Sequence, residues 1–247
     1  MKRILILGGT AEARDLAAAV SAELAGRAEA ITSWAGRTGR APDVAGEVHV
    51  GGFGGTQGLV DYIAAEDIAI LVDATHPFAE RISDHAYDAA VIAEIPRLGL
   101  VRPPWRLPPG GRWTPVDNLT AAAEALGRFS RRCFLTTGRQ TLDAFAGMKA
   151  VWFLVRLIKA PAEPLALAHY EVTAGRPPFP LETERELMRT HRIDTLVTKA
   201  SGGAVPAKIT AAMELGLPVI LVAPPPPPPG ARAASVAEAL QWIERQL

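Results

Sequence analysis

Lys2-Arg3-Ile4-Leu5-Ile6-Leu7-Gly8-Gly9-Thr10-Ala11-Glu12-Ala13-Arg14 opens the chain, and its reading decides the fold. Four consecutive apolar residues, Ile4 to Leu7, predict a strand buried on both faces, as in a parallel sheet covered by helices. Gly8 and Gly9 follow, and Thr10 begins an Ala- and Leu-rich run to Leu24 that predicts a helix. A strand passing into a helix through two glycines leaves unpaired backbone N–H groups at the helix start, and such groups bind phosphate. The stretch departs from G-x-G-x-x-G, because Thr10 and Ala13 stand at its second and third glycine positions. Taken alone, it fits a nucleotide site and a plain tight turn equally.

Outward from this stretch, Ala28 to Trp34 predicts a second strand, ending Ser33-Trp34-Ala35-Gly36-Arg37-Thr38-Gly39-Arg40. In dinucleotide-binding sheets the end of this strand meets the adenosine ribose, where an acid favours a 2′-hydroxyl and Arg accommodates a 2′-phosphate. No acid stands here, whereas Arg37 offers a bidentate grip on phosphate. A basic surface loop is the alternative, but beside the opening stretch these residues favour NADPH over NADH. Glu47 to Val50 predicts a short third strand, and the glycines of 51–55 permit close approach of a ligand or a contorted loop. Thr56 is the predicted cap of a helix to about Ala65.

Ile68 to Val72 predicts the fourth strand, ending Asp73-Ala74-Thr75-His76-Pro77. Pro77 suits the first turn of a helix, which makes His76 its predicted cap at a strand's carboxyl end. Open α/β sheets bind ligands at that edge; an ordinary turn residue is the other reading of His76. A helix to about Ala93 and a fifth strand, Pro96 to Val101, complete an alternation that predicts a doubly wound parallel sheet. Four prolines within 102–111 interrupt the pattern, so the expected domains are 1–103 and 104–247.

The second half repeats the α/β logic. A strand at Cys133 to Leu135 ends in Thr136-Thr137-Gly138-Arg139, before a predicted helix from Gln140 to Phe145. Another, Asp194 to Val197, ends in Thr198-Lys199-Ala200-Ser201-Gly202-Gly203. Each of these ends presents hydroxyl, cation and glycine together, which is anion-binding chemistry. The six prolines of 224–229 predict a stiff connector to a last helix, Ser235 to Gln246.

Composition narrows the class. The 247 residues are 49% hydrophobic and 21% charged, enough for two compact cores and against disorder. The lone Cys133 forms no internal disulfide, no Cys/His cluster has metal-ligand spacing, and no apolar run reaches membrane-span length. The start is too polar after Leu7 for a signal peptide, so a cytoplasmic protein is expected. Net charge is zero, yet residues 1–103 carry 9 Lys+Arg against 14 Asp+Glu, and residues 104–247 carry 17 against 12. That asymmetry suits an anionic ligand of the second half. No dense basic run with interleaved aromatics points to nucleic acid.

The segments 8–14 (GGTAEAR), 33–39 (SWAGRTG), 51–55 (GGFGG), 73–79 (DATHPFA), 136–139 (TTGR), 175–179 (GRPPF) and 198–209 (TKASGG…KI) together resemble the precorrin-6A reductase family, in order and over nearly the whole chain. One departure is Ala200, where the family usually reads Asn, which removes a hydrogen-bonding side chain there. The resemblance implies two Rossmann-like α/β domains with mainly parallel sheets and a cleft between them. It implies NADPH as cofactor, no metal, and hydride delivery to carbon 19 of a tetrapyrrole polycarboxylate in cobalamin synthesis. It also implies hand-over contacts with neighbouring pathway enzymes.

The expected site follows from the resemblance. Gly9, Thr10 and Arg14 meet the pyrophosphate, and Ser33, Gly36, Arg37 and Thr38 the 2′-phosphate. Gly52, Thr75 and His76 also contact the cofactor, with Thr75 and His76 near the nicotinamide. Thr137, Gly138, Arg139, Ser201 and Gly202 reach cofactor or substrate carboxylates. His76 and Lys199 are the candidate proton donors. The alternatives are a cobalt-bearing substrate and a non-enzymatic NADPH sensor. A short-chain reductase is disfavoured, since no Tyr has Lys four residues later.

Overall fold

Ile4 and Ile6 pack into one apolar cluster and Leu5 and Leu7 into another, so the first strand is buried on both faces with strict alternation. This is β1 (Lys2–Leu7) in a computed structural model that describes residues 1–34 and 44–247. It passes through Gly8-Gly9-Thr10 into α1 (Ala11–Glu23). Then come β2 (Ala28–Trp34), β3 (Glu47–Val50), α2 (Thr56–Ala65), β4 (Ile68–Asp73), α3 (Glu80–Ile92) and β5 (Arg97–Leu100).

The chain continues with β6 (Arg112–Val116), α4 (Leu119–Gly127), β7 (Arg132–Leu135) and a 3-10 helix at Arg139–Phe145. After it lie β8 (Trp152–Leu157), β9 (Tyr170–Ala174), α5 (Leu181–Thr190), β10 (Thr195–Lys199), α6 (Ala207–Glu214) and β11 (Pro218–Val222). The chain ends with β12 (Ala231–Ala233) and α7 (Val236–Gln246).

Two compact units result, 1–103 with 225–247, and 104–224. The first holds a six-stranded sheet in the order β12-β5-β4-β1-β2-β3, and the second one in the order β6-β11-β10-β7-β8-β9. Every pairing in both is parallel. The α/β class with two mainly parallel sheets is therefore as expected. The assignment of 225–247 to the second domain needs correction. Its strand β12 pairs with β5, and Ala239, Leu240 and Ile243 of α7 pack with Leu16, Ala17 and Val20 of α1. The apolar face of α7 is completed by the first unit, so the polyproline stretch leads back to that unit.

The two sheets share one wiring. Counting from the central strand, β1-β2-β3-β4-β5 and β7-β8-β9-β10-β11 occupy the same positions in their sheets. The sixth position is filled by β12 from the chain's end in one unit, and by β6 from the unit's own beginning in the other. The helices after these sixth strands correspond too: α7 packs on α1, and α4 on the 3-10 helix. The units are thus circular permutants of one doubly wound arrangement.

Candidate functional site

In the first unit the carboxyl edge of the sheet is built around the opening stretch. A Cβ on Gly8 would lie 2.7 Å from the Ser33 carbonyl oxygen and 3.1 Å from Thr32 Cγ2, so only glycine lets β1 pass this close to β2. Gly9 adopts φ +111°, and a Cβ there would meet nothing within 4 Å, so the loop surface is open at that point. Thr10 caps α1: its Oγ1 accepts from the Ala13 N–H at 3.1 Å and donates to the Ala74 carbonyl at 2.7 Å. That hydroxyl's one hydrogen is spent inside the protein, which leaves the Thr10 backbone N–H, not its side chain, for an anion. Arg14 stands exposed one turn into the helix.

The end of β4 is fixed by a buried ion pair. Arg97 Nη2 lies 3.1 Å from Asp73 Oδ2, with side-chain exposures of 8% and 7%. Asp73 Oδ1 accepts from both the Thr75 N–H and its hydroxyl, at 3.2 and 2.7 Å. The Thr75 hydroxyl is thereby turned back to the sheet. His76 is exposed and is not a helix cap, because α3 begins at Glu80 with Ala79 at its cap position. Instead, the Ala79 N–H bonds to the His76 carbonyl at 2.7 Å, which closes a β-turn with Pro77 at its second position, where proline's fixed φ fits. His76 Nδ1 accepts the Phe78 N–H at 3.2 Å, which places the neutral ring's proton on Nε2.

Ser33 lies buried at the end of β2, opposite Leu7. Gly36, Arg37 and Thr38 lie outside the described residues. Gly52 is exposed in the loop before α2, whose cap position is Gly55 and not Thr56. Sequence reasoning missed Arg102, whose Nη2 lies 2.6 Å from Glu12 in the first turn of α1. This brings a cation beside the glycine loop from 90 residues away, a neighbourhood that no local motif reveals.

In the second unit the corresponding loop follows β7. Thr137 is buried and accepts from the Thr141 hydroxyl at 2.9 Å, Gly138 has φ +93°, and Arg139 is exposed. The expected helix here is a 3-10 helix whose cap position, Gly138, makes no side-chain cap bond. Lys199 ends β10 half-buried, and burial lowers its pKa below the usual lysine range. Ser201 and Gly202 follow in a loop pinned by Trp105, whose Nε1 donates to the Gly202 carbonyl at 2.8 Å.

Beside them lie three side chains absent from the expected set. Arg156 near the end of β8 bonds buried Glu184 of α5 at 2.5 Å, and Lys208 of α6 donates to Thr136 Oγ1 at 2.8 Å. Burial pushes the Lys208 ammonium down to about 8, with the neighbouring Arg156 charge adding to the fall and Glu184 opposing it.

Among the described residues, no helix is long and apolar enough to cross a membrane. A family model described as precorrin-6x reductase CbiJ/CobK matches residues 3–244. The chain is 46% identical over 245 residues to the precorrin-6A reductase of Rhodococcus erythropolis, covering 98% of each chain. It is 31% identical over 233 residues to the cobalt-precorrin-6A reductase of Priestia megaterium, covering 89% of each. A solved structure described as CobK precorrin-6A reductase superposes with a TM-score of 0.91 at 37% identity, covering 100% of this chain and 97% of that one. Fold and matches together define an oxidoreductase of the cobalamin pathway. The chain belongs to the CbiJ/CobK precorrin-6x reductase family.

Proposed function

We propose that this protein reduces precorrin-6A to precorrin-6B with NADPH, placing hydride on carbon 19 of the macrocycle. The cofactor half of the reading is carried by the loop from β1 to α1. Gly8 brings two strands together, Gly9 leaves the backbone open, and Thr10 fixes a helix N-terminus whose N–H groups face a phosphate. Gly9, the Thr10 N–H and Arg14 hold the pyrophosphate. Ser33, Gly36, Arg37 and Thr38 take the 2′-phosphate, and Gly52 admits the cofactor close to the backbone. Thr75 and His76 hold the nicotinamide end, in a loop made rigid by Asp73 and Arg97.

NADPH, when bound, supplies the hydride. A proton must also reach the macrocycle. His76 carries one on Nε2, and Lys199, its pKa lowered by burial, releases one more readily than an exposed lysine. Thr137, Gly138, Arg139, Ser201 and Gly202 orient cofactor or substrate carboxylates. The metal-free substrate is favoured, because identity is 46% to a relative named for precorrin-6A and 31% to one named for its cobalt form.

The test is NADPH absorbance at 340 nm with purified protein and precorrin-6A, with NADH and cobalt-precorrin-6A as comparisons. Rapid oxidation of NADPH that requires precorrin-6A is expected, with much slower use of NADH. Binding of NADPH without oxidation in the presence of either substrate would leave a sensor, not a reductase.

A further inference from the structure

We infer that Arg156 and Lys208 of the second unit form a receiving site for one carboxylate of the tetrapyrrole. This rests on the reductase reading above for the identity of the ligand, and on the following geometry for the site. Thr136 follows β7, Arg156 lies near the end of β8, Glu184 in the first turn of α5, and Lys208 in the first turn of α6. All four therefore gather at the carboxyl edge of the sheet.

The guanidinium carbon of Arg156 lies over two rings, 4.0 Å from the Phe179 centroid and 4.7 Å from that of Phe134. Its Nη1 bonds Glu184 Oε1, while Glu184 Oε2, in a side chain only 2% exposed, has no partner among the described residues. Thr136 accepts from Lys208 and in turn donates to the Val197 carbonyl at 3.2 Å. Among the described residues, one of five guanidinium donors and one of three ammonium donors are used. Arg156, paired with the buried Glu184 carboxylate, and Lys208, near enough to feel both their charges, keep most of their donors unspent, and that is a binding arrangement more than a structural one.

The charge selects the ligand. Two cations and Glu184 leave a net +1, which matches a single carboxylate; a pyrophosphate or 2′-phosphate carries about −2 and needs more compensation. A planar guanidinium beside a compact ammonium also suits the two oxygens of a carboxylate. With burial and Arg156 holding the ammonium's pKa near 8, an arriving anion stabilises the charged form, so binding takes up a proton above that pH. Affinity is therefore full below pH 8 and falls as pH rises through it.

The experiment is equilibrium binding of precorrin-6A, read from its absorbance without cofactor, to the full-length protein and to Lys208→Gln and Lys208→Arg between pH 7 and 9. Lys208→Gln should bind about tenfold more weakly at pH 7 and lose the fall between pH 7 and 9, whereas Lys208→Arg should retain most of the affinity. NADPH affinity, titrated in parallel, should change less than twofold. Unchanged precorrin-6A binding in Lys208→Gln, or a loss that falls on NADPH, would overturn the inference. Failure of the reductase reading shows separately: the wild-type protein would then bind precorrin-6A with this pH dependence but never oxidise NADPH.

Discussion

The loops after β1 and after β7 occupy the same place in two sheets of the same wiring, yet they lead into differently built helix starts. The first leads through an open glycine into a capped 13-residue α-helix, whose aligned peptides concentrate positive potential at one end. The second leads into seven residues of 3-10 helix without a side-chain cap, a poorer source of aligned N–H groups. What the second unit lacks in backbone it supplies in side chains, with Arg139, Arg156, Lys199 and Lys208 around its carboxyl edge. Its sequence carries 15 Lys+Arg against 10 Asp+Glu, while that of the first unit carries 11 against 16. A backbone cradle suits the fixed geometry of a pyrophosphate, and dispersed cations suit the scattered carboxylates of a macrocycle.

The contrast can be broken at its strongest points. Asp73→Ala should be the most damaging change, because it strands Arg97 inside the first unit and releases Thr75; a loss of about 3–5 kcal/mol by denaturant unfolding is expected. Thr10→Ala removes the cap of α1 and the bond to Ala74, for about 2 kcal/mol, with a clear rise in the KM for NADPH. Thr137→Ala, in the loop after β7, loses one hydroxyl bond and should cost about 1 kcal/mol with little effect on that KM.

Lys208→Met sharpens the comparison by pH. Lys208 titrates near 8 when folded and near 10.5 when unfolded, so its charge opposes folding fully below pH 8. That opposition fades as pH rises from 8 towards 10.5. The variant should therefore be more stable than wild type at pH 7, by about 1 kcal/mol once the lost Thr136 bond is counted, and the gap should close towards pH 10.

Much of this was legible in the sequence because burial on both faces writes itself as apolar runs. The central strands β1, β4, β7 and β10 all read directly. The strands that did not, β6, β9 and β12, are all at sheet edges: β6 contains Pro115, β9 is half polar, and β12 has three residues. The return of 225–247 to the first unit was hidden for the same reason, since β12 is too short to announce its partner. Within the site, glycine loops and strand ends were visible as motifs. Arg102, Arg156 and Glu184 were not, and Lys208 stood in the segment 198–209 without a role, since each gains its meaning from a partner at least 28 residues away. The turn at His76 misled because proline serves a β-turn as well as a helix start.

The central proposal is that the first unit holds the nucleotide and that, of the two uses given above for Arg139, cofactor or substrate carboxylate, the substrate is the one it serves. A fluorescence titration with NADPH tests it most directly, comparing Arg14→Ala in the first unit with Arg139→Ala in the second. About tenfold weaker binding for Arg14→Ala and less than twofold change for Arg139→Ala is predicted. Equal losses, or a larger loss for Arg139→Ala, would contradict that division.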